Sequence, residues 1–104
     1  MQPIFIHTGK HFQRLELSEV LWVEALKDYI LLYTNDTRYI VNRTMKEIEK
    51  KLMPYNFCRV HRSFIVNMSH ISAIHSTSLM LGDQKEIPIG KMYRELLLDR
   101  VKKL

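Results

Sequence analysis

The sequence predicts a mainly β domain with one short internal helix and a C-terminal helix. Three observations carry this. Short apolar or period-two segments recur along most of the 104 residues, separated by turn-forming residues such as Gly, Pro and Asn-Asp. A helical period replaces them in only two stretches, after Thr44 and after Gly90. No apolar run approaches the ~20 residues that a membrane-spanning helix requires. Apolar residues make up 46% of the chain, so it should bury a core and not stay disordered. Its length fits a single domain, residues 1–104, that needs neither metal nor disulfide to fold.

Ile4-Phe5-Ile6 is a short apolar run, and Thr8-Gly9-Lys10 reads as the turn that ends it. Arg14-Leu15-Glu16-Leu17 alternates with period two, as a half-buried strand does. Val20 to Ala25 is richer in apolar residues and should lie deeper; Lys27-Asp28 interrupts it. Tyr29 to Thr34 and Thr37 to Val41 flank Asn35-Asp36, a tight-turn signal, and read as a β-hairpin. The period then changes. In Thr44-Met45-Lys46-Glu47 the threonine can accept from a free helix N–H while the glutamate reaches back, a capping box. Met45, Ile48 and Leu52 follow at helical spacing, and Pro54 ends the helix.

Strand-like segments resume at Phe57 to Val60, Phe64 to Val66, Ile71 to Ile74, Leu79 to Leu81 and Glu86 to Ile89. Gly82-Asp83 supplies the turn between the last two. Pro88 predicts an edge strand or a bulge, because proline cannot donate to a ladder. Beyond Gly90, residues Met92, Tyr93, Leu96, Leu97, Val101 and Leu104 predict one apolar stripe on a terminal helix. Arg94, Asp99, Arg100, Lys102 and Lys103 fall mainly on the other face, the cations suiting the helix C-terminus.

Charge and cysteine content narrow the function classes. Lys and Arg number 16 against 11 Asp and Glu, giving +5 with neutral His and a pI near 9.5. That balance suits nucleic acid or an anionic surface. Cys58 is the single cysteine, so no intramolecular disulfide forms and a reducing cytoplasm is expected. Arg59 and His61 nearby favour its thiolate, whereas burial would leave it inert. The N-terminal residues lack the basic start and long apolar run of a signal peptide, so no membrane role is expected. Further domains upstream stay open. His7 with His11, and His70 with His75, find no Cys or carboxylate to complete a metal site, so neither metal nor cofactor is expected. No nucleophile, base and oxyanion donor assemble, so the chain should not be an enzyme. Nor is there a helix-turn-helix, a Gly-rich phosphate loop or a Cys-x-x-Cys pair. Any DNA contacts must then come from loops between strands.

The most informative run is Phe57-Cys58-Arg59-Val60-His61-Arg62-Ser63-Phe64-Ile65-Val66-Asn67. Its Arg-x-x-Arg half seeks an anion and its apolar half seeks a core. Here the chain resembles the LytTR-type DNA-binding domains, bacterial transcription-factor output modules often attached to a receiver domain. The resemblance covers about Ile4 to Val101. It is supported by Val20-Leu21-Trp22-Val23-Glu24-Ala25 leading to Tyr29, by the helix ending near Pro54, and by Ile87-Pro88-Ile89 before Gly90-Lys91. It implies an elongated, antiparallel, multi-sheet β domain that inserts loops into successive major grooves on one face of duplex DNA and bends it.

Three positions carry the contacts in that family. They map to Lys27, Asp28 and Tyr29 after the Glu-Ala strand, to Arg62 after the signature histidine, and to Lys91 before the terminal helix. Arg62 has the planar fork that can bind guanine O6 and N7 together. Lys91, beside Gly90 at a helix start, suits a phosphate. The family often has Ser-Arg where this chain has Gly90-Lys91, and lysine lacks the fork. Lys27 suits a phosphate, and Tyr29 a phosphate or a sugar. For Arg59, a phosphate contact, a brace for His61 and a surface ion pair to Glu24 or another acid stay open. His61 either touches DNA or orders its turn. Asn67 should fix a turn, and Trp22 and Phe64 should be core. The candidate DNA-binding set is thus Arg62, Lys91, Tyr29, Lys27, Arg59 and His61. Expected partners are double-stranded DNA and a receiver or sensor domain in the full-length protein, with pairing on repeated sites left open. The alternative is a protein-interaction or sensory module of the same fold.

Overall fold

The computed structural model describes residues 3–83 and 85–104. Strands β1 (Pro3–His7) and β2 (Phe12–Glu16) form an antiparallel hairpin in which Ile4 faces Leu15 across the ladder. Its turn places Gly9 at φ +98°, a conformation that L side chains rarely adopt. Next come β3 (Val20–Ala25), β4 (Ile30–Thr34), β5 (Arg38–Val41) and the helix α1 (Met45–Leu52). β6 (Phe57–His61) and β7 (Phe64–Asn67) follow. They complete a five-stranded antiparallel sheet of order β5-β4-β3-β7-β6. β8 (Ile71–Ile74), β9 (Ser78–Leu81) and β10 (Lys85–Pro88) form a third sheet, and α2 (Lys91–Asp99) ends the regular structure. Pro88 lies on β10, an edge strand, where its missing N–H costs no ladder bond. The domain measures 44 × 31 × 25 Å, elongated as the resemblance implies.

Both faces of the central sheet are covered. Val20, Val23, Leu32, Phe57 and Ile65 pack with the β1–β2 hairpin and α1. Trp22, Cys58, Val60 and Val66 pack with the third sheet and α2. Two-sided burial explains why β3 and β6 read as apolar runs and not as clean alternations. Trp22 stacks on Tyr33 at 4.1 Å between ring centroids, and Lys85 of β10 lies 5.0 Å over its ring, tying the two sheets together. Asn67 is buried, donates to the Leu17 and Val20 carbonyls at 3.3 and 2.9 Å, and accepts from the Ser69 N–H at 3.0 Å. It therefore locks two turns, as expected of a structural asparagine.

The capping box forms as expected: the Glu47 N–H donates to Thr44 Oγ1 at 3.1 Å and the Thr44 N–H donates to Glu47 Oε1 at 2.9 Å. These Thr44 donors hold the Glu47 carboxyl below the usual carboxylate range. Met45, Ile48 and Leu52 are all buried. Several boundaries differ. Leu17 leaves β2 for a single helical turn yet stays buried, and Tyr29 precedes β4. After Leu52 a further turn, Met53–Tyr55, runs through Pro54 and ends at Asn56 in the left-handed region, φ 70°.

The terminal stripe needs correction. α2 stops at Asp99, Leu97 is its buried residue, and Met92, Leu96 and Leu104 are exposed. Tyr93, Arg94, Leu97 and Leu98 form the inward side. Two apolar residues per turn were available for the core, and the neighbouring β6 fixed which pair is covered. Of the expected C-terminal cations, Arg100 instead donates to the Phe57 carbonyl at 2.5 Å, and Lys103 donates to the Leu98 carbonyl at 2.6 Å, satisfying a helix-end acceptor.

Candidate nucleic-acid interface

Strand direction brings the candidate loops to one end of the central sheet. β3 ends and β7 begins side by side, with Glu24 opposite Phe64. The Ala25 N–H then donates to the Ser63 carbonyl at 2.9 Å, joining the β3–β4 loop to the β6–β7 turn. On the far side of that turn the Gly90 N–H donates to the Val60 carbonyl at 2.8 Å. Three segments, Leu26–Tyr29, His61–Ser63 and Gly90–Lys91, therefore stand abreast in that order. Lys27, Tyr29, Arg62 and Lys91 are all exposed.

The β3–β4 loop is short and closed, with the Leu26 N–H donating to the Tyr29 carbonyl at 2.8 Å. Its side chains project from a fixed frame. They share a groove with Arg43, an exposed cation in the β5–α1 connection. Arg43 is not among the candidates read from the sequence. Its signal was topological: β5 ends where β4 begins, at the same end of the sheet.

The β6–β7 turn is built around Arg59 and His61. The ladder shifts register between Arg59 and His61, a bulge that re-aims the strand end. His61 is half-buried, its Nδ1 accepts from the Ser63 N–H at 3.0 Å, and its ring meets Phe64 edge-on at 5.6 Å. It orders the turn. The Arg59 guanidinium donates to the His61 carbonyl at 3.4 Å and to the Arg62 carbonyl, and pairs with Glu49 of α1 at 3.1 Å. Of the roles left open for Arg59, the structure shows a brace and an ion pair, with Glu49 and not Glu24 as the acid. Arg62, by contrast, makes no side-chain hydrogen bond or ion pair among the described residues, so its fork is free to meet a ligand.

Gly90 permits a close approach: a Cβ there would lie 3.1 Å from the Tyr93 ring and 3.7 Å from the His61 Cα. This packs the start of α2 against the signature turn. α1 and α2 differ at their N-termini. The α1 donors are met by Thr44 and Glu47, whereas α2 has no side-chain cap and no acidic residue in its first turn. An anion beside Lys91 would find N–H groups and a cation together. Cys58 lies outside this surface, and burial pushes its thiol up, with the Arg100 guanidinium opposing. That is the inert reading of the cysteine.

Comparison with known proteins bears on this geometry. The family model described as the LytTr DNA-binding domain matches residues 10–102. The sensory transduction protein LytT of Bacillus subtilis is 35% identical over 105 residues, covering 88% of this chain and 44% of that protein. The transcriptional regulatory protein YpdB of Escherichia coli K12 is 33% identical over 91 residues, covering 78% of this chain and 37% of that protein. The chain thus spans less than half the length of these relatives. A solved LytTr DNA-binding domain from Bacillus cereus superposes with a TM-score of 0.80 at 25% identity, covering 95% of each chain.

Proposed function

This chain belongs to the LytTr DNA-binding domain family, and we propose that it is the DNA-reading domain of a longer cytoplasmic transcriptional regulator controlled by a receiver or sensor domain. The family is one of DNA-binding domains, not of enzymes. In this reading residues 1–104 act as one unit on double-stranded DNA. Arg62 reads base edges in the major groove, and Lys27, Tyr29 and Lys91 fix register on the backbone. Arg59 and His61 hold the reading turn and do not touch DNA. The carrying observation is the pair of hydrogen bonds, Ala25 to Ser63 and Gly90 to Val60, that sets the three candidate segments abreast. Insertion of these loops into successive major grooves, with bending of the duplex, belongs to the same reading.

Selection from a random duplex pool, followed by anisotropy at two salt concentrations, tests this. The selected site should bind about a thousandfold more tightly than its scramble. Equal, salt-sensitive binding to both would reject specific readout and leave a protein-interaction module as the alternative.

A further inference from the structure

The β6–β7 turn is fastened to α1 by a carboxylate. Glu49 Oε1 accepts from Arg59 Nη1 at 3.1 Å. The same guanidinium donates through Nε to the His61 carbonyl at 3.4 Å and through Nη2 to the Arg62 carbonyl. The side chains of Arg59 and Glu49 are only 18% and 29% exposed. Among the described residues Arg59 pairs with no other acid. Ile48 and Leu52 of α1 are buried in one cluster with Phe57 of β6, which docks the helix on the strand that carries Arg59. Glu49 is thereby held one side chain away from the Arg62 backbone.

A carboxylate this near a surface that meets phosphates weakens binding, because the duplex repels it. An exposed ion pair would contribute little in return. This pair is mostly out of water, and its cation also holds two successive turn carbonyls. Without the carboxylate, a largely buried guanidinium loses its counter-charge, three residues from the like charge of Arg62. The replacement anion within reach is then a phosphate of bound DNA. We propose that Glu49 is a positioning residue for DNA readout: it holds the Arg59 fork on the turn carbonyls and off the duplex, so that Arg62 alone presents a fork there. This role rests on the reading of Arg62 as the base contact. Glu49 touches no DNA and acts through Arg59. It lowers affinity for DNA in general and raises discrimination between sequences.

Salt-dependent anisotropy of the whole chain on the selected duplex and its scramble tests this role, with amide hydrogen exchange of the free protein as a second reading. Glu49→Ala keeps a good helix former in α1. It should tighten binding to the scramble and steepen the salt slope by about one charge. It should also lower the specific-to-scramble ratio about tenfold. The Ser63 N–H donates to His61 Nδ1 at 3.0 Å, and its exchange should quicken about tenfold as the turn loosens. Adding Arg59→Gln to Glu49→Ala should remove the extra slope. Asp36→Asn makes the same charge change in the exposed β4–β5 turn, at the other end of the sheet, and should leave slope, ratio and exchange unchanged. If Glu49→Ala does not fold, Glu49→Gln carries the same readings. The role is overturned by an unchanged slope, by extra slope that persists without Arg59 or is matched by Asp36→Asn, by unchanged Ser63 exchange, or by an unchanged ratio where the wild type discriminates. A wild-type ratio near one would reject readout by Arg62, and the slope and the Ser63 exchange would still decide whether Glu49 positions Arg59.

Discussion

Arg59 and Arg62 are three positions apart in one motif and have opposite surroundings. Arg59 bonds two carbonyls and Glu49, while Arg62 stands exposed. The bulge between Arg59 and His61 separates them. Two predictions belong here. Arg62→Ala should cost about 1–3 kcal/mol on the preferred site and relax preference there. Anisotropy against a panel of single-base variants reads this, and an equal loss on every sequence would make Arg62 a phosphate contact. Arg59→Lys keeps the charge and loses the fork. It should lower the specific-to-scramble ratio while leaving the salt slope unchanged. A slope reduced by about one charge would instead put Arg59 on a phosphate. The signature was legible in the sequence as a group of anion-seeking side chains. Which arginine turns inward was not, because the answer lies in Glu49, on another element.

At the scale of elements, α1 and α2 contrast in how far sequence reached. The α1 cap is local chemistry within four residues, and it forms as read. Thr44→Ala should destabilise the domain by about 1 kcal/mol in urea denaturation at neutral pH. The Glu47 carboxyl is held low in the folded chain, so its contribution is present above its unfolded pKa and lost as pH falls through the folded value. Thr44→Ala should therefore shrink the stability difference from wild type on the acid side. An unchanged difference below pH ~4 would remove the cap from acid unfolding. For α2, Leu97→Ala should cost about 2–5 kcal/mol because Leu97 is fully buried, whereas Met92→Ala should stay within about 0.5 kcal/mol. Similar losses at the two positions would contradict the assigned face. Helical period located this helix correctly. It could not choose among apolar positions on adjoining faces, since that choice depends on what β6 and the third sheet offer.

For the whole molecule, the proposed DNA edge is a product of topology. Lys27→Ala should weaken binding to all sequences alike and reduce the salt slope by about one charge. An unchanged slope would take the β3–β4 loop out of the interface. The mainly β class, most strand positions, the capped helix, the edge proline and the signature run were all visible along the chain. Periodicity, capping and turn chemistry act between residues a few positions apart, so they are written in consecutive letters. The division into three sheets, the two-sided burial of the central one, the inward face of α2 and the alignment of three loops were not visible. The sheets rest on strand pairings such as Glu24 with Phe64, the two-sided burial on the two clusters packed against the central sheet, and the loop alignment on Ala25 meeting Ser63 and Val60 meeting Gly90. Such pairings join distant parts of the chain, and they exist only once the strands have chosen their neighbours.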